Sequence, residues 1–146
     1  MVALIVAWLT AFVPSILLGA AVAGFFPELG QPNLALSDRV AVILVVIVAP
    51  LLETLIMAAA LAVLLFFLPP TAAVLASAIG WGIAHSLAAP AWGLVIWWPF
   101  LVFSTLYVTW RQRSLLAAIA MPAATHALHN ALPALLLFSG IRTQVG

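Results

Sequence analysis

Four side chains that can do acid–base or hydrogen-bonding chemistry lie inside long apolar runs of this chain. Glu53 follows Ala49-Pro50 in one run, His85 lies in a second, and His126 and Asn130 lie in a third. A charged side chain at the centre of a bilayer costs at least about 2.5–3.5 kcal/mol, so such residues normally face a partner or a water-filled cavity. We therefore expect these side chains to share one buried site.

The residue types in this set match what the activation of a water molecule requires. A carboxylate shielded from water is a stronger base than one in solution, which makes Glu53 a candidate general base. His85 can orient the same water or pass its proton to a leaving group. His126 and Asn130 are spaced to lie on one helix face and carry donors that can stabilise an oxyanion. These four are the predicted catalytic residues.

The composition places this chemistry in a membrane. Of 146 residues, 68% are hydrophobic and 5% are charged, which leaves too little polar surface for a water-soluble globule. Lysine is absent, so no basic patch indicates nucleic acid, and the absence of cysteine excludes thiolate catalysis and cysteine-ligated metal. The lipid bilayer is the first predicted partner, and no cofactor is predicted.

Five apolar segments predict an all-α membrane bundle of about five transmembrane helices, in a single domain over residues 1–146. A crossing needs about 20 residues at about 1.5 Å rise each, and the first segment is interpreted as a retained span. Pro50 is expected to release the Val46 carbonyl and to kink or tilt its helix, while Ser37 or Asp38 and Thr71 are expected to cap helices. The predicted segments are 2–26, 39–68, 71–88, 91–110 and 114–138.

A depth calculation places the candidate residues in one layer. At about 1.5 Å per residue, Glu53, His85 and His126 lie roughly 22, 21 and 18 Å from the same side of the bundle. Beside His85, the small residues Ala76, Gly80 and Ala84 predict close approach of a neighbouring helix. The aromatic residues of the fourth segment, among them Trp92, Tyr107 and Trp110, are expected to form an interfacial belt.

The order and spacing of these residues resemble the motifs of the CPBP family of intramembrane proteases, which includes CAAX prenyl endopeptidases and bacteriocin-processing and immunity proteins. Residues 49–53 resemble the opening of Ala-Pro-x-x-Glu-Glu-x-x-x-Arg, Trp81 and His85 resemble an aromatic-x-x-x-His pair, and residues 126–130 resemble His-x-x-x-Asn. The resemblance covers about residues 45–131. It implies a multi-pass protein of a bacterial-type inner or plasma membrane, in which Glu53 and His85 activate water and His126 and Asn130 form the oxyanion site.

The chain departs from the family pattern at Thr54 and Ala58, where the family usually has the second Glu and the Arg. Losing both avoids one unpaired charge in the membrane, but it removes a pair that can support the first Glu. The predicted function is hydrolysis of a membrane-associated peptide or protein by an intramembrane peptidase-like protein. The alternative is a catalytically silent member that serves as a packing subunit or an immunity-type binding protein beside membrane-protein partners.

Four further interpretations stay open from the sequence alone. Glu53, His85, His126 and His129 are all metal-ligand types, although no His-Glu-x-x-His motif occurs and the His-x-x-x-Asn spacing needs no metal. His129 matches no motif position and is interpreted as a hydrogen-bonding contact between helices. Glu53 can also be a protonated carboxyl inside a bundle, and a proton-coupled transporter would need an oligomer to supply more helices.

Overall fold

The computed structural model describes residues 1–30 and 39–145, with side chains described up to residue 139. Within these ranges the chain forms five helices, which confirms the predicted all-α bundle. Four of them, α1, α2, α4 and α5, are long and apolar enough to cross a membrane, while α3 has 17 residues. The helices are α1 (Val2–Phe25), α2 (Arg39–Phe67), α3 (Pro70–Ser86), α4 (Pro90–Trp110) and α5 (Leu115–Val145).

Proline and serine set several of the helix ends. Pro70 and Pro90 each occupy the first turn of a helix, where a missing N–H costs no hydrogen bond. The predicted cap at Thr71 is wrong, because α3 begins one residue earlier and has no side-chain cap. Ser114 does cap α5, since its Oγ accepts the Ala117 N–H at 3.1 Å. The predicted cap at Ser37 or Asp38 lies outside the described residues.

The irregularity expected near Pro50 is a π turn inside α2, over Leu44–Val48. The Ala49 N–H donates to the carbonyl of Leu44, five residues back, instead of to Val45. The next residue, Pro50, has no N–H. The carbonyl released by this geometry is therefore that of Val45, one residue before the predicted Val46.

A compact core forms where α2, α4 and α5 meet. Its largest members are the buried Met57, Leu61, Phe100, Phe103 and Tyr107. The inclusion of Tyr107 corrects its predicted place in an interfacial belt. Outside this core, large apolar side chains such as Phe66 (84% exposed) face outward, which suits lipid and would be unfavourable in water.

The close approach of α3 to a neighbouring helix takes place at Gly82 and Gly93, and not at the three small residues predicted from the sequence. A Cβ at Gly93 of α4 would overlap the Gly82 carbonyl and the Ser86 hydroxyl of α3. By contrast, Ala76, Gly80 and Ala84 are exposed, and nothing lies within 4 Å of a Cβ built at Gly80. The Gly82–Gly93 contact holds the end of α3 that carries His85 against α4.

Candidate functional site

The structure brings the four predicted site residues to the wall of one cavity of about 210 Å³. Glu53 comes from α2, His85 from α3, and His126 and Asn130 from α5, so the predicted common layer is observed. A water molecule occupies about 30 Å³ in the liquid, and a cavity with these polar groups has room for several. Their catalytic role stays a prediction.

Glu53 and His126 face each other across this cavity. His126 Nε2 lies 3.8 Å from Glu53 Oε2, within ion-pair range but too far for a direct hydrogen bond. The His126 side chain is 6% exposed and that of Glu53 is 27% exposed, so the carboxyl has the greater access to the cavity. The other ring nitrogen of His126, Nδ1, is buried and has no hydrogen-bond partner within the described part of the chain. The reactive edge of His126 is therefore the one that faces Glu53.

His85 is held in one tautomer by its own helix. Its Nδ1 lies 2.9 Å from the Trp81 carbonyl, and because a carbonyl oxygen only accepts hydrogen bonds, Nδ1 must carry the proton. Nε2 is then the basic nitrogen of the neutral ring. The Trp81 ring stacks on Phe100 at 4.3 Å, so the four-residue spacing combines a backbone acceptor with a packing contact.

Aromatic rings enclose the histidines. Phe103 stacks on the His126 ring at 4.6 Å, and Phe100 meets the same ring edge-on at 5.4 Å. Trp92 lies edge-on to His85 at 4.9 Å and lines the cavity, a contact that the sequence did not predict. Sequence reasoning missed Phe100 and Trp92 as site residues because an aromatic residue in an apolar helix gives no signal of which way it faces.

His129 lies on the wall of the same cavity, a place that the sequence did not assign to it. Phe12 of α1 meets its ring edge-on at 5.7 Å, and Phe103 does so at 6.1 Å. Its Nδ1 is buried and has no hydrogen-bond partner among the described residues. The interpretation of His129 as a hydrogen-bonding contact between helices therefore finds no such bond in the structure.

Asn130 contacts the backbone of α2. Its Nδ2 donates a hydrogen bond of 3.0 Å to the Val45 carbonyl, the one released by the π turn. An amide nitrogen carries two hydrogens, so this contact engages one of them. Asn130 therefore joins α5 to α2 through one amide hydrogen. The second amide hydrogen remains as a donor for the cavity.

Thr54 and Ala58, the two departures from the family pattern, lie outside the cavity wall. Each is buried, Ala58 within the apolar core, and neither side chain belongs to the cavity wall. The Thr54 hydroxyl has no hydrogen-bond partner among the described residues.

No three His, Asp or Glu side chains within the described ranges are grouped so that they could hold one metal ion. The metal alternative therefore gains no support from the arrangement of Glu53, His85, His126 and His129.

Comparisons with protein-family models, with curated proteins and with solved structures give no match for this chain. Membership of the CPBP family therefore stays a prediction that depends on three short motifs. The function has to be argued from the cavity and its side chains.

Proposed function

We propose that the chain is an intramembrane peptidase-like hydrolase of the CPBP type, in which Glu53 and His85 activate water inside a multi-pass protein of a bacterial-type inner or plasma membrane. Its substrate would be a membrane-associated peptide or protein. The observation that carries the proposal is the convergence of the Glu53 carboxyl and the His85 and His126 imidazoles, from three separate helices, on one cavity with room for several water molecules.

The chemistry follows from the groups that the cavity presents. Glu53 accepts a proton from water while the water oxygen bonds to the peptide carbonyl carbon, which gives a tetrahedral oxyanion. The proton then passes to the leaving nitrogen as the C–N bond breaks, so one water is consumed and an acid and an amine are formed. His85, with Nδ1–H held by Trp81, offers Nε2 as an acceptor that orients the water. His126 offers its Nε2 edge, 3.8 Å from Glu53, to the carboxylate and the oxyanion.

A catalytically silent membrane subunit or immunity-type binding protein is the second candidate. The specific observation in its favour is that Thr54 and Ala58 are both buried, Ala58 within the apolar core, at the positions where the family pattern has a carboxylate and an arginine. In that case the cavity polar groups would only stabilise the bundle, and partner binding would use its outer surface.

Glu53→Gln separates the two candidates. This change keeps the size and hydrogen bonding of the side chain but removes the basic carboxylate, so an enzyme should lose roughly 100-fold or more in rate. We would compare newly formed peptide termini by mass spectrometry in membranes from cells that express the wild type or the variant. Peptides that appear with the wild type and disappear with Glu53→Gln are the expected result.

Glu28→Gln is the matched control, because it removes an exposed carboxylate outside the helices and should leave processing unchanged. Equal processing by wild type and Glu53→Gln, with both proteins present in the membrane at the same level, would reject the peptidase and favour the silent subunit.

A further inference from the structure

The π turn of α2 leaves one backbone acceptor without a partner from its own helix. In an α-helix the Val45 carbonyl would accept the Ala49 N–H, but Ala49 donates to Leu44. In a continued π pattern Val45 would accept from residue 50, which is proline and has no N–H. A carbonyl left in this way inside an apolar bundle costs free energy unless another donor reaches it.

Asn130 is the donor that reaches this carbonyl. Its Nδ2 lies 3.0 Å from the Val45 oxygen, and the contact is partly buried. The bond joins two helices that are far apart in sequence, α2 and α5. Among the described residues, this side-chain hydrogen bond links α2, which carries Glu53, to α5, which carries His126.

Two polar contacts join α2 and α5 in this region. Asn130 meets Val45 at one point, and His126 meets Glu53 at the other. Val45 and Glu53 are separated by roughly 12 Å along α2, at about 1.5 Å per residue. A slip of one residue at the first contact would move the second by about 1.5 Å and rotate Glu53 away from the His126 edge.

We infer that Asn130 is a positioning residue, which holds the π turn of α2 and thereby sets the distance between Glu53 and His126. Pro50 is the second half of this device, because it creates the acceptor that Asn130 binds. The effect on turnover rests on the proposed function, whereas the hydrogen bond itself can be tested without it.

A double-mutant cycle tests the inference. Pro50→Ala restores an N–H at position 50, so the Val45 carbonyl can accept a hydrogen bond from its own helix. The hydrogen bond from Asn130 then becomes less important. Asn130→Ala alone should lower kcat by roughly 10- to 100-fold, because a displacement of about 1 Å in an active site can cost as much, and should change KM little. In the Pro50→Ala background the same change should cost at least about threefold less.

The cycle also separates positioning from direct action on the substrate. If Asn130 acts only as an oxyanion donor, its loss should lower kcat equally in both backgrounds, and that result would overturn the inference. An unchanged kcat in Asn130→Ala would overturn it as well.

Thermal unfolding in detergent gives a second readout that needs no activity. Asn130→Ala should lower Tm by about 2–4 °C in the wild-type background and by less in the Pro50→Ala background. Ser139→Ala is the matched control, since the hydrogen bond that the structure describes for its hydroxyl goes to Leu136 of the same helix. Additive Tm changes in the cycle would overturn the inference even if Glu53→Gln had already excluded the peptidase.

Amide hydrogen exchange covers the case in which Pro50→Ala does not fold. Exchange at residues 46–54 should be faster in Asn130→Ala than in the wild type and unchanged in Ser139→Ala, because only the first variant frees the π turn. Equal exchange in the three proteins would contradict the proposed role.

Discussion

The three histidines of the cavity have three different surroundings, and these decide what each ring can do. His85 has its proton fixed on Nδ1 by the Trp81 carbonyl. His126 is stacked on Phe103 and turns one edge toward Glu53. Among the residues that the structure describes, His129 is held by ring contacts, and its buried Nδ1 has no hydrogen-bond partner there. A sequence shows three identical residue types here, because the partner of each ring comes from the folded backbone or from another helix.

His129→Leu should fold as stably as the wild type, with Tm within about 2 °C. Removal of this ring breaks no described hydrogen bond. It also eliminates a buried polar atom that lacks a partner in the described ranges, and whose desolvation is itself unfavourable. Ser104→Ala provides the comparison, because Ser104 Oγ donates to Ser77 Oγ across α3 and α4 at 3.0 Å. The free energy of unfolding of that variant should be lower than that of the wild type by about 0.5–1.5 kcal/mol. A larger loss of Tm in His129→Leu than in Ser104→Ala would restore the interpretation of His129 as a contact that holds helices together.

At the scale of the helices, the sequence predicted where each helix begins and ends well. It predicted poorly which side of each helix packs against the rest of the protein. Apolar run length and the prolines located five helices within a few residues, apart from α5, which continues to Val145. Which face turns inward was not predictable at Ala76, Gly80 and Ala84 or at Tyr107. In a membrane both the packed face and the lipid face are apolar, so the periodicity that marks the inner face of a soluble helix is lost.

The crossing of α3 and α4 tests which side of α3 packs against its neighbour. Gly93→Ala should destabilise the protein by roughly 1–3 kcal/mol, because its methyl group would overlap the Gly82 carbonyl and the backbones would have to separate. Gly80→Ala is the matched control, since a Cβ there meets nothing within 4 Å and alanine favours a helix over glycine by up to about 1 kcal/mol. Thermal unfolding of both variants measures the difference. A stable Gly93→Ala together with a destabilised Gly80→Ala would contradict this and would support close packing at Ala76, Gly80 and Ala84, as predicted from the sequence.

At the scale of the whole molecule, matched depth was the part of the site that the sequence could predict. Residue counts along α2, α3 and α5 place Glu53, His85 and His126 in one layer, because every helix has the same rise. The contact between Asn130 and Val45 was not predictable, since it depends on a π turn and on the rotation of two helices about their axes. Chain length fixes depth, whereas side-chain packing fixes rotation.

The short α3 makes a specific prediction for the arrangement in the bilayer. Its 17 residues rise about 25 Å, less than the hydrocarbon thickness of about 30 Å, so the turn that follows His85 should lie below the membrane surface. The chain has no cysteine, so single cysteines can be placed at exposed positions and labelled with a membrane-impermeant maleimide. Thr71→Cys and Gln112→Cys should react from one side, Glu28→Cys should react from the other, and Leu87→Cys should react slowly from both. Reaction of Thr71→Cys and Glu28→Cys from the same side would mean that α2 does not cross, and rapid reaction of Leu87→Cys would place the turn, with His85 beside it, at the surface.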